Sequence, residues 1–266
     1  MKIDLEHYRR EGWVLVEDAV PDALLEPVVD LICDYWQVDR YQCDPTRKFE
    51  EVINGIVPVH QHQAMWDIRQ WPTLYKAFSK IHDTEKLWVS MDRLSYKPTV
   101  SQRLKKDKGA PNAIHIDMDL RKPRSYVQGV VYLTDTPEER GAWECVPEIF
   151  REIRDGKRAS FRWAEDVSYY EIVRVPAKAG SIVIWDSRTP HGSGFNWSDI
   201  PRFAQYVTMN PIGDEAERKK RVDVWQRCQA PDYWRGMPGQ MEVEPWGAPA
   251  KLTELGEKLL GVKTWE

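Results

Sequence analysis

The stretch Ser181-Ile182-Val183-Ile184-Trp185-Asp186-Ser187-Arg188-Thr189-Pro190-His191 joins a short β-branched and aromatic run to a turn that ends on an imidazole. Residues of that type between Gly180 and Pro190 predict a strand from Ser181 to Trp185. Working outward, the apolar runs from about Leu87 to Pro211 are all short, rich in β-branched and aromatic residues, and punctuated by Gly and Pro. They predict further strands at Leu87 to Tyr96, Ala113 to Asp117, Tyr126 to Leu133, Glu171 to Val175 and Arg202 to Asn210. Upstream the period changes. Leu5 and Tyr8 are helically spaced before a short strand, Trp13 to Val16. Pro21 opens a helix with Leu24, Val28, Leu31 and Tyr35 in register, with Pro27 either kinking it or marking its first turn. Leu74, Ala77, Phe78 and Ile81 share a face of a helix running from Pro72 to near His82. Leu252 to Leu260 is helical up to a Gly261 cap. The expected fold is mainly β with a helical buttress, a jelly-roll barrel. It forms a single domain over 1–266, with a buttress over 1–86, a barrel core over 87–211 and a helical or loop extension over 212–266.

Composition bounds the function. The chain has 266 residues, 38 Lys plus Arg against 42 Asp plus Glu, and a formal net charge of −4, so no global positive field gathers nucleic acid. The charged amino terminus lacks a signal peptide's apolar stretch, and no run is long and apolar enough to cross a membrane. Cys33, Cys43, Cys145 and Cys228 are far apart without a CxxC pair, which predicts reduced thiols and a cytoplasmic protein. The charge runs Arg103 to Lys108 and Glu217 to Asp223 mix signs and read as solvated faces. Thirteen Trp beside six Phe is an unusual ratio. Trp88, Trp143, Trp185 and Trp197 fall in or beside the barrel strands and the loop after His191, where Trp143 and Trp197, with Tyr126, are candidates to border a substrate. Trp36, Trp66, Trp71 and Trp265 belong to helical segments and are expected to fill the seam between helices and barrel.

His115-Ile116-Asp117 closes one predicted strand, and the two-residue period puts its imidazole and carboxylate on one face. His191 follows a second, sequence-distant strand that can face the first across a barrel. Two imidazoles and one carboxylate on one face leave the rest of an octahedral ion open, the arrangement of non-haem iron(II) oxygenases. With six His and 42 acidic residues, roughly one His-x-acid triplet arises by chance in such a chain, so the motif needs a companion. Arg202, eleven residues past His191, shares a strand face with Ala204 and Tyr206 and can hold the distal carboxylate of a dicarboxylate cosubstrate; Ser193 can add a hydroxyl. Fe(II) with one Asp and a 2-oxoglutarate dianion leaves one negative charge, which Arg202 cancels. Gln128 shares a face with Tyr126 and Val130 and either aims at the cosubstrate or packs across strands. His60-Gln61-His62 has metal-like spacing, but no carboxylate follows before Asp67, and it reads as a substrate-pocket wall or a surface position.

The set His115-x-Asp117, His191 and Arg202 is joined by the opening Tyr8-Arg9-Arg10-Glu11-Gly12-Trp13-Val14-Leu15-Val16 and by Gly141-Ala142-Trp143-Glu144-Cys145-Val146-Pro147. Together these resemble the phytanoyl-CoA dioxygenase family of Fe(II)/2-oxoglutarate oxygenases over nearly the whole chain. The resemblance implies a cupin-like double-stranded β-helix, iron on His115, Asp117 and His191, and 2-oxoglutarate on Arg202 and Ser193. It implies consumption of O2, release of succinate and CO2, and hydroxylation or another oxidation of a small organic molecule. Asp117 stands where related halogenases have a small residue, which favours hydroxylation over halogenation. The chain departs from the common pattern after Pro147, reading Glu148-Ile149-Phe150 where many members have Gly-Ser-His. Two other readings stay open on the sequence: a catalytically silent ligand-binding barrel, and a zinc hydrolase using His115, Asp117 or Asp119, and His191.

Overall fold

In the computed structural model, which describes residues 3–44, 46, 56–100, 114–122, 126–162, 165–234 and 248–266, Asp4 accepts the His7 amide at 2.8 Å and starts helix α1, Leu5–Glu11. Gly12 ends it at φ 82°, where a Cβ would lie 2.4 Å from Thr189 Oγ1 and 2.6 Å from the Phe150 ring, so only glycine lets the chain turn there. Strand β1 (Trp13–Val16), helix α2 (Asp22–Trp36), β2 (Ile56–Val57), α3 (Gln63–Arg69) and α4 (Pro72–His82) follow. Then come β3 (Leu87–Val89), β4 (Leu94–Lys97), β5 (Val127–Tyr132), β6 (Trp143–Cys145), α5 (Pro147–Arg154), β7 (Val173–Val175) and β8 (Ile182–Asp186). The chain continues through β9 (His191–Ser193), β10 (Arg202–Tyr206), β11 (Met209–Pro211), α6 (Glu215–Gln226) and α7 (Glu254–Leu260).

The strands form a six-stranded sheet in the order β1-β8-β5-β10-β4-β2, a three-stranded sheet β7-β6-β9 and the pair β11-β3. Alternation along the large sheet divides its two faces. Val14, Val16, Leu94, Tyr96, Val127, Val131, Ile182, Ile184 and Phe203 join the buried cluster built with α2, α3 and α4. Val130, Tyr132, Val183, Trp185 and Ala204 point the other way and pack with Trp143, Cys145 and Val175 of the small sheet. One face of the large sheet therefore carries the helices, and the other faces a second sheet. Gly129 marks a close approach on the helical side, since a Cβ there would lie 2.5 Å from the Val207 carbonyl and 3.0 Å from Phe78. That contact explains a glycine inside a strand.

Several sequence expectations change. The strand expected at Leu87 to Tyr96 is two strands, β3 and β4, and that at Arg202 to Asn210 is likewise β10 and β11. The breaks coincide because β4 pairs with β10 in one sheet while β3 pairs with β11 in the other, so both partners bend between sheets together. Of the strand expected at Ala113 to Asp117, the described part contributes a single bridge, His115 to His191. The strand expected at Glu171 to Val175 is confined to β7. Strands β2, β6 and β9 and helices α3 and α5 were not anticipated, being too short to show a period. Pro27 lies inside α2, whose buried face is Leu25, Val28, Val29, Leu31, Ile32 and Trp36, displaced from the row expected through Leu24 and Tyr35. The α4 face and the Gly261 cap stand where expected. Glu217 to Asp223 lies on α6, and Arg103 to Lys108 lies outside the described residues.

The Glu148-Ile149-Phe150 stretch falls in α5, where Pro147 occupies the first turn and Ile149 and Phe150 are buried. This helix packs on α1: Arg151 pairs with Glu11, and Arg154 donates to the carbonyls of Arg9 and Arg10. The tryptophans divide differently from the expectation as well. Trp88 lies under the Arg221 guanidinium beside Gly213 and Gly261, against α6 and α7. Trp36 and Trp66 join the helical core, and Trp265 stacks on Tyr75 at 5.6 Å.

Candidate functional site

His115 and His191 exchange backbone hydrogen bonds of 3.0 and 2.9 Å, which brings two sequence-distant imidazoles to a centroid separation of 4.6 Å. Asp117 Oδ1 lies 3.4 Å from His115 Nε2, and Oδ2 lies 3.6 Å from His191 Nε2. One donor atom from each of the three lies within 4.8 Å of the others. His191 Nδ1 faces the Thr189 carbonyl at 3.0 Å, an arrangement that keeps the proton on Nδ1 and the lone pair on Nε2. Burial and the neighbouring His115 drive the His191 pKa down to about 4, so the ring is neutral at pH 7. Burial raises the Asp117 pKa, but His191, His115 and a hydrogen bond from Gln128 outweigh it and leave the carboxyl below its usual range. Two imidazole nitrogens and one carboxylate oxygen converging on one point suit a divalent first-row metal.

The surrounding shell orients these donors. Gln128 Nε2 donates to Asp117 Oδ2 at 2.7 Å, and Trp185 Nε1 donates to Gln128 Oε1 at 3.1 Å. The Gln128 amide is thus engaged at both ends, between the carboxylate and an indole. Trp185 and Trp143 lie 4.8 and 6.2 Å from the His191 ring, Trp143 nearly parallel to it. Trp143 is buried, whereas Trp197 is 67% exposed on the loop after β9 beside Phe195, and Tyr126 is 36% exposed. Asp119 is held by Arg121 at 2.8 Å through both carboxylate oxygens, outside the His115, Asp117 and His191 group.

A second group of polar side chains lies on the face of the large sheet that packs towards β6, β7 and β9. Arg202 and Lys97 are register partners on β10 and β4, and both are buried. Arg202 makes no hydrogen bond or ion pair with the described residues, and its Nε is buried without an acceptor. Burial pulls its pKa down, with Tyr206 and Tyr132 supplying the opposing influence. Lys97 Nζ donates to Ser193 Oγ at 2.6 Å, to the Ser193 carbonyl at 2.8 Å and to the Gly194 carbonyl at 2.6 Å, which holds the segment two residues past His191. Ser95, opposite Ala204, has a buried hydroxyl without a partner among the described residues. Lys97 was missed in the sequence because the strand was expected to end at Tyr96, one residue short; the alternation through Ser95 would have placed it inward. A buried arginine without an acid is costly unless an anion completes it, so the residues present fit a carboxylate ligand beside the metal donors.

His60-Gln61-His62 does not form a comparable centre. His60 is buried with Nδ1 3.0 Å from the Met91 carbonyl, and His62 accepts from the Ala64 amide at the start of α3. Among the described residues no helix is long and apolar enough to cross a membrane.

The phytanoyl-CoA dioxygenase profile matches residues 8–204. A Dictyostelium discoideum protein named for the phytanoyl-CoA dioxygenases is 27% identical over 198 residues, 58% of this chain but only 55% of that protein. Ava biosynthesis cluster protein O of Aspergillus versicolor is 28% identical over 242 residues, 77% of this chain and 76% of its own. Among solved structures, the epimerase SnoN in complex with Fe3+, alpha ketoglutarate and nogalamycin RO superposes with a TM-score of 0.58 at 17% identity, covering 94% of each chain. The alpha ketoglutarate dependent carbocyclase SnoK gives 0.52 at 22% identity, covering 78% of this chain and 82% of its own. The chain shares their fold, and with the family profile spanning most of its length it belongs to the phytanoyl-CoA dioxygenase family.

Proposed function

We propose that the chain is a non-haem Fe(II)- and 2-oxoglutarate-dependent dioxygenase that hydroxylates or otherwise oxidises a small organic molecule. In this reading residues 1–266 form one cytoplasmic oxygenase domain on a double-stranded β-helix. His115, Asp117 and His191 hold the metal, and Arg202, Ser193 and Lys97 form the seat for the far carboxylate of 2-oxoglutarate. The observation that carries the reading is Arg202, buried without an acid partner among the described residues on the face of the large sheet that packs towards β6, β7 and β9, together with the three converging metal donors. When bound, Fe(II) with O2 supplies oxidative decarboxylation of 2-oxoglutarate to succinate and CO2, coupled to oxidation of a substrate C–H bond.

The protein's own residues supply position and exclusion of water. The Thr189 carbonyl holds the His191 Nδ1 proton and keeps Nε2 available. Gln128 fixes the Asp117 carboxylate in rotation and is itself fixed by Trp185. Trp143 and Trp185 cover His191. Because Lys97 donates to Ser193 Oγ, the Ser193 proton is left to point at a cosubstrate oxygen. The similar solved structures, an epimerase and a carbocyclase, support a fold on which one cofactor pair serves several outcomes, with the outcome set by the substrate's pose.

The test is anaerobic titration of the purified protein with Fe(II) and 2-oxoglutarate, followed by O2 and quantification of succinate. Stoichiometric iron, saturable 2-oxoglutarate binding and iron-dependent succinate are expected. A protein that binds no 2-oxoglutarate, or that forms no succinate when iron and O2 are supplied, would overturn the reading.

A further inference from the structure

The inward face of β4 carries a cation at each end. Lys97 stands opposite Arg202. Arg93, one residue before β4, continues the alternation through Ser95 and Lys97, and its carbonyl accepts the Tyr206 amide at 3.2 Å. The ladder thus gains a rung with Arg93 opposite Tyr206, beside Val130. Four residues of strand span about 13 Å, so Arg93 lies at the opposite end of this face from the proposed cosubstrate seat.

The Arg93 guanidinium is held rigidly. It lies over the Trp234 indole with its carbon 3.4 Å from the ring centroid, and Nε donates to Asp92 Oδ1 at 3.1 Å. Its terminal Nη1 and Nη2 groups make no hydrogen bond with the described residues, and the side chain keeps 12% exposure. One edge of the fork is therefore engaged by Asp92 while the other stays open at fixed orientation, the geometry that receives a planar oxyanion with two parallel bonds. Stacking on an indole lowers the ordering cost of such a contact. The guanidinium lies near enough to the Asp117 carboxylate for the two opposite charges to interact. Tyr126 completes the surroundings: burial, Asp117 and Asp92 push its hydroxyl up to about 12, so it remains a hydrogen-bond donor at neutral pH.

We propose that Arg93 receives a carboxylate of the prime substrate, making this protein an oxygenase of small organic acids oxidised at a carbon within reach of the anchored carboxylate. The inference rests on the oxygenase reading above and adds the substrate class to it.

The experiment uses the full chain under anaerobic conditions. Fe(II) and then 2-oxoglutarate are titrated calorimetrically, and the loaded protein is titrated with acetate, hexanoate and 3-phenylpropanoate and, in parallel, with their primary amides. At least one acid should bind wild type about ten-fold or more tightly than its amide, as a charge-assisted pair requires. Arg93→Gln should remove that preference, and Arg93→Lys should restore part of it. Equal binding of acid and amide by wild type, no acid binding, or an unchanged preference in Arg93→Gln would overturn the inference; the wild-type comparison decides even if the variants fold poorly. Absence of 2-oxoglutarate binding in the first titration would overturn the oxygenase reading along with it, whereas bound 2-oxoglutarate without an acid preference overturns this inference alone.

Discussion

Two histidine triplets in this chain, His115-Ile116-Asp117 and His60-Gln61-His62, have similar local spacing and opposite fates. In the first, a backbone bridge delivers His191 from another strand, and a carboxylate is at hand two residues from the imidazole. In the second, the tertiary structure turns the same kind of residue inward. His60 is buried on the Met91 carbonyl with Nε2 unpartnered, Arg69 donates to the His60 carbonyl at 2.8 Å, and His62 becomes a helix cap. A metal centre therefore needs convergence across the sheets as well as spacing along one strand.

That contrast can be broken experimentally, beginning with the largest effect. Asp117→Ala removes the single anionic donor of the triad, and iron retention after dialysis should fall by more than about a hundred-fold. His60→Asn should leave the iron stoichiometry at the wild-type value, and the reverse pattern would invalidate the assignment of the centre. Next, Arg202→Gln should raise the KM for 2-oxoglutarate by about 30- to 100-fold, the size of a lost charge-assisted pair, with iron content unchanged. A KM within two-fold of wild type would mean that the buried arginine answers some other anion. Gln128→Leu deletes the bond to Asp117 and should weaken iron binding by about ten-fold. An effect on 2-oxoglutarate affinity alone would return Gln128 to the cosubstrate side.

The smallest effect is one on stability, at His60. Burial drives its pKa down to about 4, against about 6.5 in the unfolded chain. The unfolded state therefore takes up a proton first. The stabilisation is fully present above pH 6.5 and is lost as pH falls towards 4, about 3 kcal/mol in all. Urea midpoints of the metal-free protein at pH 7 and pH 4.5 should show a smaller drop for His60→Asn than for wild type. Equal drops would show that His60 is protonated, or solvated, in the folded state.

The fold and the site were legible in the sequence to different degrees. The α4 stripe of Leu74, Ala77 and Phe78 is long enough to display a helical period, and β5 and β8 are long enough to display β-branched runs, so these elements were found close to their observed bounds. Elements of three residues such as β6 and β9 carry no period and exist because partner strands supply their hydrogen bonds. The bends that split two long expected strands are equally invisible, since they arise from two sheets sharing a pair of paired strands. Lys97 and Trp88 show the same limit at single residues: one proved inward-facing and the other did not, for reasons of register and of packing by α6 and α7.

What the sequence determined by itself was the chemistry on offer: a mainly β chain with His115, Asp117, His191 and Arg202 at spacings that suit a metal and a dicarboxylate. Side-chain alternation and donor type are local properties, and they follow from residue order alone. Tertiary structure decided which of these groups meet. It paired His115 with His191, set Lys97 beside Arg202, engaged Gln128 with Asp117 and Trp185, and laid Arg93 across Trp234. The physical reason is that strand register and sheet-on-sheet packing join residues tens of positions apart, and no local pattern encodes the partner they will face.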